Sequence, residues 1–185
     1  MIRQALAAVR ILLVLTMLLG VLYPLAVTAV AELTMPGRAE GSLVQLGGEV
    51  VGSSLIGQEF SGREWFHGRP DLFDPAASGA TNLGPSSQRL AQAVRLAAGE
   101  VARLERWVGP IPADAVTGSG SGLDPHISPE YARLQAPRVA LARGLDREEV
   151  LALVDRLTEG RTLGFLGEPR VNVLLLNLAL VALRP

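Results

Sequence analysis

The 185-residue chain carries 17 basic and 18 acidic residues for a net charge of −1, so no basic field draws it to nucleic acid. Every basic residue is Arg, and there is no Cys. A lysine-dependent phosphate loop, a Schiff base, thiol catalysis, thiolate metal sites and disulfides are therefore excluded, and the length suits one domain with a real core rather than two.

Residues Ile11 to Ala31, "ILLVLTMLLGVLYPLAVTAVA", carry no charge. As a helix the run covers ~30 Å, the hydrocarbon thickness of a bilayer. Arg3 and Arg10 precede it and Glu32 comes after it, which places residues 1–10 in the cytoplasm and the remainder outside. A signal peptide is the alternative. Arg3 and Arg10 then form its charged start, Ile11 to Leu22 its apolar run, Pro24 its helix end, and "AVA" at 29–31 its cleavage site. Both readings export the rest of the chain. If the segment spans, a proline and a hydroxyl at mid-depth call for a covering protein helix, and Gly20, Tyr23 and Pro24 are the expected packing positions.

Residues 32–41 read as a linker, and residues 42–185 as one α+β domain outside the membrane. Past residue 31 there are 15 Arg and 18 acids, a balance of −3. Leu43 to Leu46 and Glu49 to Val51 predict a β-hairpin around Gly47-Gly48, a two-residue turn that suits positive φ. A further strand is expected around Arg63 to His67. "FDPAASGATNLGPSS" is a loop. From Ser87 to Trp107 the stripe Leu90, Val94, Ala97, Val101 and Leu104 predicts a helix capped by Ser86 or Ser87. Pro129 to Arg143 reads as a helix kinked or split at Pro137. "DREE" at Asp146 to Glu149 opens another, burying Val150, Leu151, Val154 and Leu157 and ending at Gly160. The final "VNVLLLNLALVAL" is apolar apart from Asn172 and Asn177. It fits a buried helix after Pro169, with a strand at Val171 and Val173 still open.

The stretch "TGSGSGLDPHISPEY", Thr117 to Tyr131, is the candidate for chemistry. Its glycines, 118, 120 and 122, match neither phosphate-loop spacing. Gly120, not a serine, stands at the centre where a nucleophile elbow needs Ser. A spatial triad of Ser119 or Ser121 with His126 or His67 and Asp124 stays conceivable, as does a metal held among His67, His126, Asp71, Asp74 and Asp124. The simpler reading is a flexible loop ending in two helix-entry signals, Asp124-Pro125 and Ser128-Pro129, with Glu130 in the first turn.

Several motifs together resemble one family, the C subunit of the Kdp-type potassium-transporting ATPase of bacteria and archaea. They are "GVLYPL" at 20–25, "GSSLIGQEF" at 52–60, "WFHGRPD" at 65–71 and "ASGATNLGPSS" at 77–87. "GSGSGLDPHISPE" at 118–130, "RVALAR" at 138–143 and "GEPRVNVLLLNLAL" at 167–180 complete the set. Trp65 stands where Tyr is usual, and Leu175 where a polar residue is frequent. The resemblance implies a retained span and no catalysis by this chain. It implies three partners: a channel-like potassium-binding subunit, a P-type ATPase subunit and a very small single-span subunit. ATP and potassium belong to those partners, so no cofactor is expected here. It further implies a helper role, stabilising the assembly and promoting ATP binding by the ATPase subunit as a catalytic chaperone, with nucleotide contact attributed near Gln135. Asn82, Ser119, Ser121, Asp124, His126 and Ser128 are the expected interface or fold-determining residues. The rivals are a cleaved, exported binding module and an exported hydrolase using His126.

Overall fold

The computed structural model describes residues 1–70 and 74–183. The chain falls into two compact units, Met1–Leu43 and Val44–Pro185.

The first unit is dominated by one continuous helix, Ile2–Thr34, 33 residues with a mean hydropathy of 2.5 over its most apolar window. At 1.5 Å per residue it is ~50 Å long, so helix extends beyond both ends of the uncharged run. It consists of α1 (Ile2–Met17), a π turn (Leu18–Leu22) and α2 (Tyr23–Thr34). Pro24 does not end it. Proline has no N–H and its ring crowds the preceding turn, and the π turn widens the helix just ahead of that ring: the Tyr23 N–H reaches back to the Leu18 carbonyl. The widening and the proline together leave two carbonyls without their regular donors. Tyr23, the regular donor for Leu19, is spent on Leu18, and Pro24, at the donor position for Gly20, has no N–H to give. A one-turn helix, α3 (Pro36–Ala39), lies within the expected linker.

In the second unit, β1 (Leu43–Leu46) and β2 (Glu49–Ser53) form the expected hairpin. Gly47 and Gly48 take φ of 63° and 89°, the left-handed values a tight hairpin turn needs. Helix α4 (Gln88–Glu105) starts where Ser87 accepts from the Leu90 N–H. Of its predicted stripe only Val101 is fully buried; Leu90, Val94, Ala97 and Leu104 are half-buried.

A three-stranded antiparallel sheet is built from β3 (His126–Ile127), β4 (Thr158–Glu159) and β5 (Arg170–Asn172), with β5 central. Val171 faces both Ile127 and Thr158. Helices α5 (Pro129–Arg143), α6 (Arg147–Arg156) and α7 (Val173–Ala182) complete the unit. The last segment is thus strand and then helix, hinged at Asn172, whose side chain accepts from the Leu175 N–H. Asp146 caps α6 through the Glu148 and Glu149 N–H groups. That helix buries Val150, Leu153 and Val154, with Leu151 and the flanking Leu157 half-buried against the same core, and it stops at Arg156, ahead of Gly160.

Helix α5 is the centre of the core. Tyr131, Ala132, Leu134, Ala136, Val139 and Ala140 are buried, and so are Gln135 and Arg138. It runs unbroken through Pro137. The carbonyl that Pro137 leaves unbonded is that of Arg133, an exposed residue, where water can replace the lost donor.

The segment Arg63 to His67 is not a strand. Its backbone is paired with side chains instead. The Phe66 N–H donates to Asn177 Oδ1, and Asn177 Nδ2 donates back to the Phe66 carbonyl, both at 2.9 Å. His67 repeats the pattern with Gln135, at 2.7 and 3.0 Å. A primary carboxamide carries the same donor and acceptor as a peptide group, so two helices supply what a neighbouring strand would have supplied. Arg138 adds bonds to the Arg63 and Trp65 carbonyls. Arg143 donates to the Glu64 carbonyl and stacks 4.2 Å from the centre of the Trp65 ring.

Replacing Asn177 by Leu keeps the branched shape with somewhat greater bulk and removes both bonds to Phe66, which is itself fully buried. Each stranded backbone group costs about 1–3 kcal/mol. Denaturant titration of the full chain in detergent is expected to show a midpoint clearly below that of wild type and of an exposed control such as Leu141→Ala.

Candidate functional site

The glycine-rich loop meets the other irregular loop of the chain. The Ser121 carbonyl accepts from the Gly79 N–H at 2.8 Å and from Ser78 Oγ at 3.0 Å. At Gly122 φ is +69°, and a Cβ there would stand 2.9 Å from the Gly79 carbonyl, so this position needs glycine on both counts. Asn82, on the loop's far side, has φ of 53°, a conformation asparagine tolerates better than most residues. Ser119 is buried. Ser121 Oγ accepts from the Leu123 N–H.

Only one of the two expected helix entries is used. Ser128 caps α5, accepting from the Tyr131 N–H at 3.1 Å, with Pro129 in the first turn. Asp114, which the sequence did not single out, takes the Ser128 N–H and hydroxyl at 2.6 and 2.9 Å. Asp124 starts no helix. Its Oδ1 accepts the N–H of His126, two residues on, folding the side chain into a local turn that delivers His126 into β3. The same oxygen lies 3.1 Å from His126 Nδ1, and Oδ2 lies 3.7 Å from Arg69. The side-chain hydrogen bond to His126, helped by the His126 N–H and charge and least by Arg69, holds the Asp124 carboxyl below the usual range against the effect of burial. Arg69 also donates to the Thr117 and Gly118 carbonyls, tying "FHGR" to the glycine loop.

Among the proposed metal ligands, Asp71 lies outside the described residues. Among the described residues no three His, Asp or Glu side chains gather as a cation site would require. His67 and His126 have separate engagements: His67 Nε2–H donates to the Gly62 carbonyl at 2.7 Å, while His126 turns to Asp124. Burial pushes the His67 pKa down, so its ring is held neutral.

These segments enclose a cleft of about 820 Å³, within the range of ligand-binding pockets. Its walls are residues 57–60, 67–70 and 122–124 together with the α4 positions Ala97, Glu100, Val101, Arg103 and Leu104, and Tyr131 lies at its base. Burial, with the nearby Glu105 charge, pushes the Tyr131 hydroxyl up to about 12. Tyr131 is 5% exposed and its hydroxyl forms no hydrogen bond among the described residues.

Gln135 does not reach this cleft. It is 0% exposed, and its Oε1 accepts from both the His67 N–H and Arg138 Nη2. Beside it, Arg138 Nε donates to both Glu105 carboxylate oxygens at 2.9 and 3.0 Å, both side chains being about 2% exposed. Burial raises the Glu105 carboxyl and the guanidinium pulls it back only in part. Sequence reading missed this pair because the two residues, 33 positions apart, look like ordinary helix-surface charges. Asn177 did leave a signal, as a lone amide in an apolar run. In the first unit, the expected packing residues Gly20, Tyr23 and Pro24 all fall in or beside the π turn.

The model of the family described as "K+-transporting ATPase, c chain" matches residues 5–182. Among relatives, the potassium-transporting ATPase KdpC subunit of Kineococcus radiotolerans is 54% identical over 100% of this chain and 96% of its own length. That of Myxococcus xanthus is 56% identical over 95% and 86%, and that of Rhodospirillum rubrum 51% over 97% and 96%.

A neutral His67 makes stability pH-dependent with a definite sign. Its pKa is lowered from the ordinary 6.5, so its contribution is complete above about pH 6.5 and fades as pH falls through the lowered value. Denaturation midpoints measured from about pH 7.5 to 5 should fall more steeply for wild type than for His67→Gln. The opposing protonation of Glu105 is common to both and cancels in the difference.

Proposed function

The chain belongs to the KdpC family, the c chains of potassium-transporting ATPases, and on that premise we propose that it is a non-catalytic accessory subunit that stabilises the assembled potassium-uptake complex. Helix Ile2–Thr34 is its single span in the cell membrane. Arg3 and Arg10 hold its start in the cytoplasm, and the second unit lies on the outer side.

The observation that carries this reading is the interrupted span. The Leu19 and Gly20 carbonyls lose their regular donors to the π turn and to Pro24, and no residue of α1, the π turn or α2 is buried. In hydrocarbon an unbonded backbone group costs several kcal/mol, and such breaks persist where other protein covers them. The partners are the potassium-binding subunit, the P-type ATPase subunit and the small single-span subunit. An influence on ATP affinity reaches the ATPase subunit as a coupling free energy through the membrane part, since nucleotide lies on the other side of the bilayer. The sealed Gln135 amide supports the same reading, because no ligand reaches it in this conformation. The residues Asn82, Ser119, Ser121, Asp124, His126 and Ser128 then act by shaping the loops around the cleft.

Purification in mild detergent through a tag on this chain is expected to bring potassium-stimulated ATPase activity with it; recovery of the chain alone would overturn the reading. Orientation has its own measurement. The chain has no cysteine, and Gly120 is exposed with open space around a Cβ. Gly120→Cys should therefore be the sole target of a membrane-impermeant maleimide, labelled in intact cells stripped of any outer membrane. Labelling only after lysis would reverse the topology.

A further inference from the structure

The cleft has a charge pattern and an unused hydroxyl that the assembly role does not by itself explain. Glu59, Asp74 and Glu100 line it, and none of the three forms an ion pair among the described residues. Arg69 is balanced by Asp124, so Arg103 is the one remaining lining cation among the described residues. Three acids against one base leave the rim negative, which favours a cationic occupant. Tyr131 also lines it; the residue is nineteen-twentieths buried, and its hydroxyl, unpartnered among the described residues, is the part left open to the cleft.

The walls point to a polypeptide. Residues 57–60 and 67–70 are neither helix nor strand. Apart from Gly57 and His67, their backbone groups take no hydrogen bond among the described residues. Unpaired chain edges accept an extended segment by backbone pairing. Phe60 and the half-buried α4 residues Ala97 and Leu104 offer apolar contact beside them.

We propose that the cleft formed by residues 57–60, residues 67–70 and α4 receives an extended, basic segment of a partner polypeptide, its cationic side chain held between Glu59 and Glu100 and hydrogen-bonded by the Tyr131 hydroxyl. This deepens the accessory-subunit reading and rests on it only for the identity of the partner.

Two measurements test it, and they fail separately. The full chain in detergent is titrated with an acetylated, amidated Ala-Arg-Ala-Arg-Ala peptide and with its Glu counterpart. The Arg peptide is expected to bind and the Glu peptide not. Tyr131→Phe, which keeps the ring, should weaken binding about tenfold, as expected for the loss of one charge-assisted hydrogen bond. Glu59→Gln with Glu100→Gln should weaken it at least as much. Equal binding of the two peptides, or indifference to these substitutions, would overturn the proposal. In the purified complex, benzoylphenylalanine at position 103 is expected to cross-link an Arg- or Lys-bearing segment of a partner subunit, and at position 141 not to. A cross-link to lipid, or to a segment without basic residues, would overturn it. Absence of the partner subunits themselves would count against the accessory role, while the peptide titration still decides the chemistry of the cleft.

Discussion

Two carboxamides, Gln135 and Asn177, hold the backbone of residues 66 and 67 by donating and accepting at once, and the rest of the second unit is arranged around that contact. The sheet has only three short strands and buries little by itself. What joins the segment before α4 to the helical core is this side-chain pairing, reinforced by Arg138 and Arg143. The consequence is specificity as well as stability. An apolar core accepts many packings, but a buried amide accepts the partner that satisfies it. Among the described residues every side-chain nitrogen or oxygen shut off from solvent has such a partner; the Tyr131 hydroxyl, which has none, is open to the cleft.

The same contact aims the cleft. His67 and Arg69 lie one and three residues beyond Phe66. Fixing the peptide groups at 66 and 67 therefore sets where the imidazole and the guanidinium can reach. Arg69 in turn ties down the Thr117 and Gly118 carbonyls, and Asp124 is held between Arg69 and His126. A change at Gln135, buried and remote from solvent, would be felt at the cleft through this chain of bonds. On the proposed topology, a residue in the region credited with nucleotide contact can alter assembly or activity without ever touching nucleotide.

How much of this was legible depends on whether the signal is local. Caps and turns are decided within four residues, and Ser87, Ser128, Asp146 and the Gly47-Gly48 turn all stand where their sequence signals put them. The apolar stripe of α4 was legible, but not that half of it would line an open cleft. Asp124-Pro125 and Ser128-Pro129 look alike in sequence. They diverge because Asp124 turns to the His126 backbone while Ser128 meets Asp114, a contact 14 residues away. Helix α5 is buried on most sides, and its narrow solvent-facing stripe, Glu130, Arg133, the half-buried Pro137 and Leu141, mixes charged with apolar residues, so periodicity does not reveal it. The aromatic content of Arg63 to His67 suggests a strand for a sound reason: Phe66 is buried between two half-buried neighbours and the backbone there is paired. The pairing comes from residues 68 and 111 positions distant, and nothing local to the segment carries it.

The two units also bear on one another energetically, whatever their placement. A span whose Leu19 and Gly20 carbonyls lack their regular donors is at its most stable when a neighbouring helix covers it, so insertion and assembly would be linked by mass action. On the proposed assembly, a docked span would keep the second unit within reach of the partner through the short segment that joins them. Short tethers of this kind give effective concentrations of roughly millimolar order. At that concentration a cleft with a modest excess of acid and one available phenol needs only a weak intrinsic affinity to stay occupied. Weak contacts are also the ones that a partner's conformational cycle can make and break, since a coupling of about 1–3 kcal/mol is the scale on which such cycles are biased. An accessory subunit built this way would hold its place through the membrane and respond through the cleft.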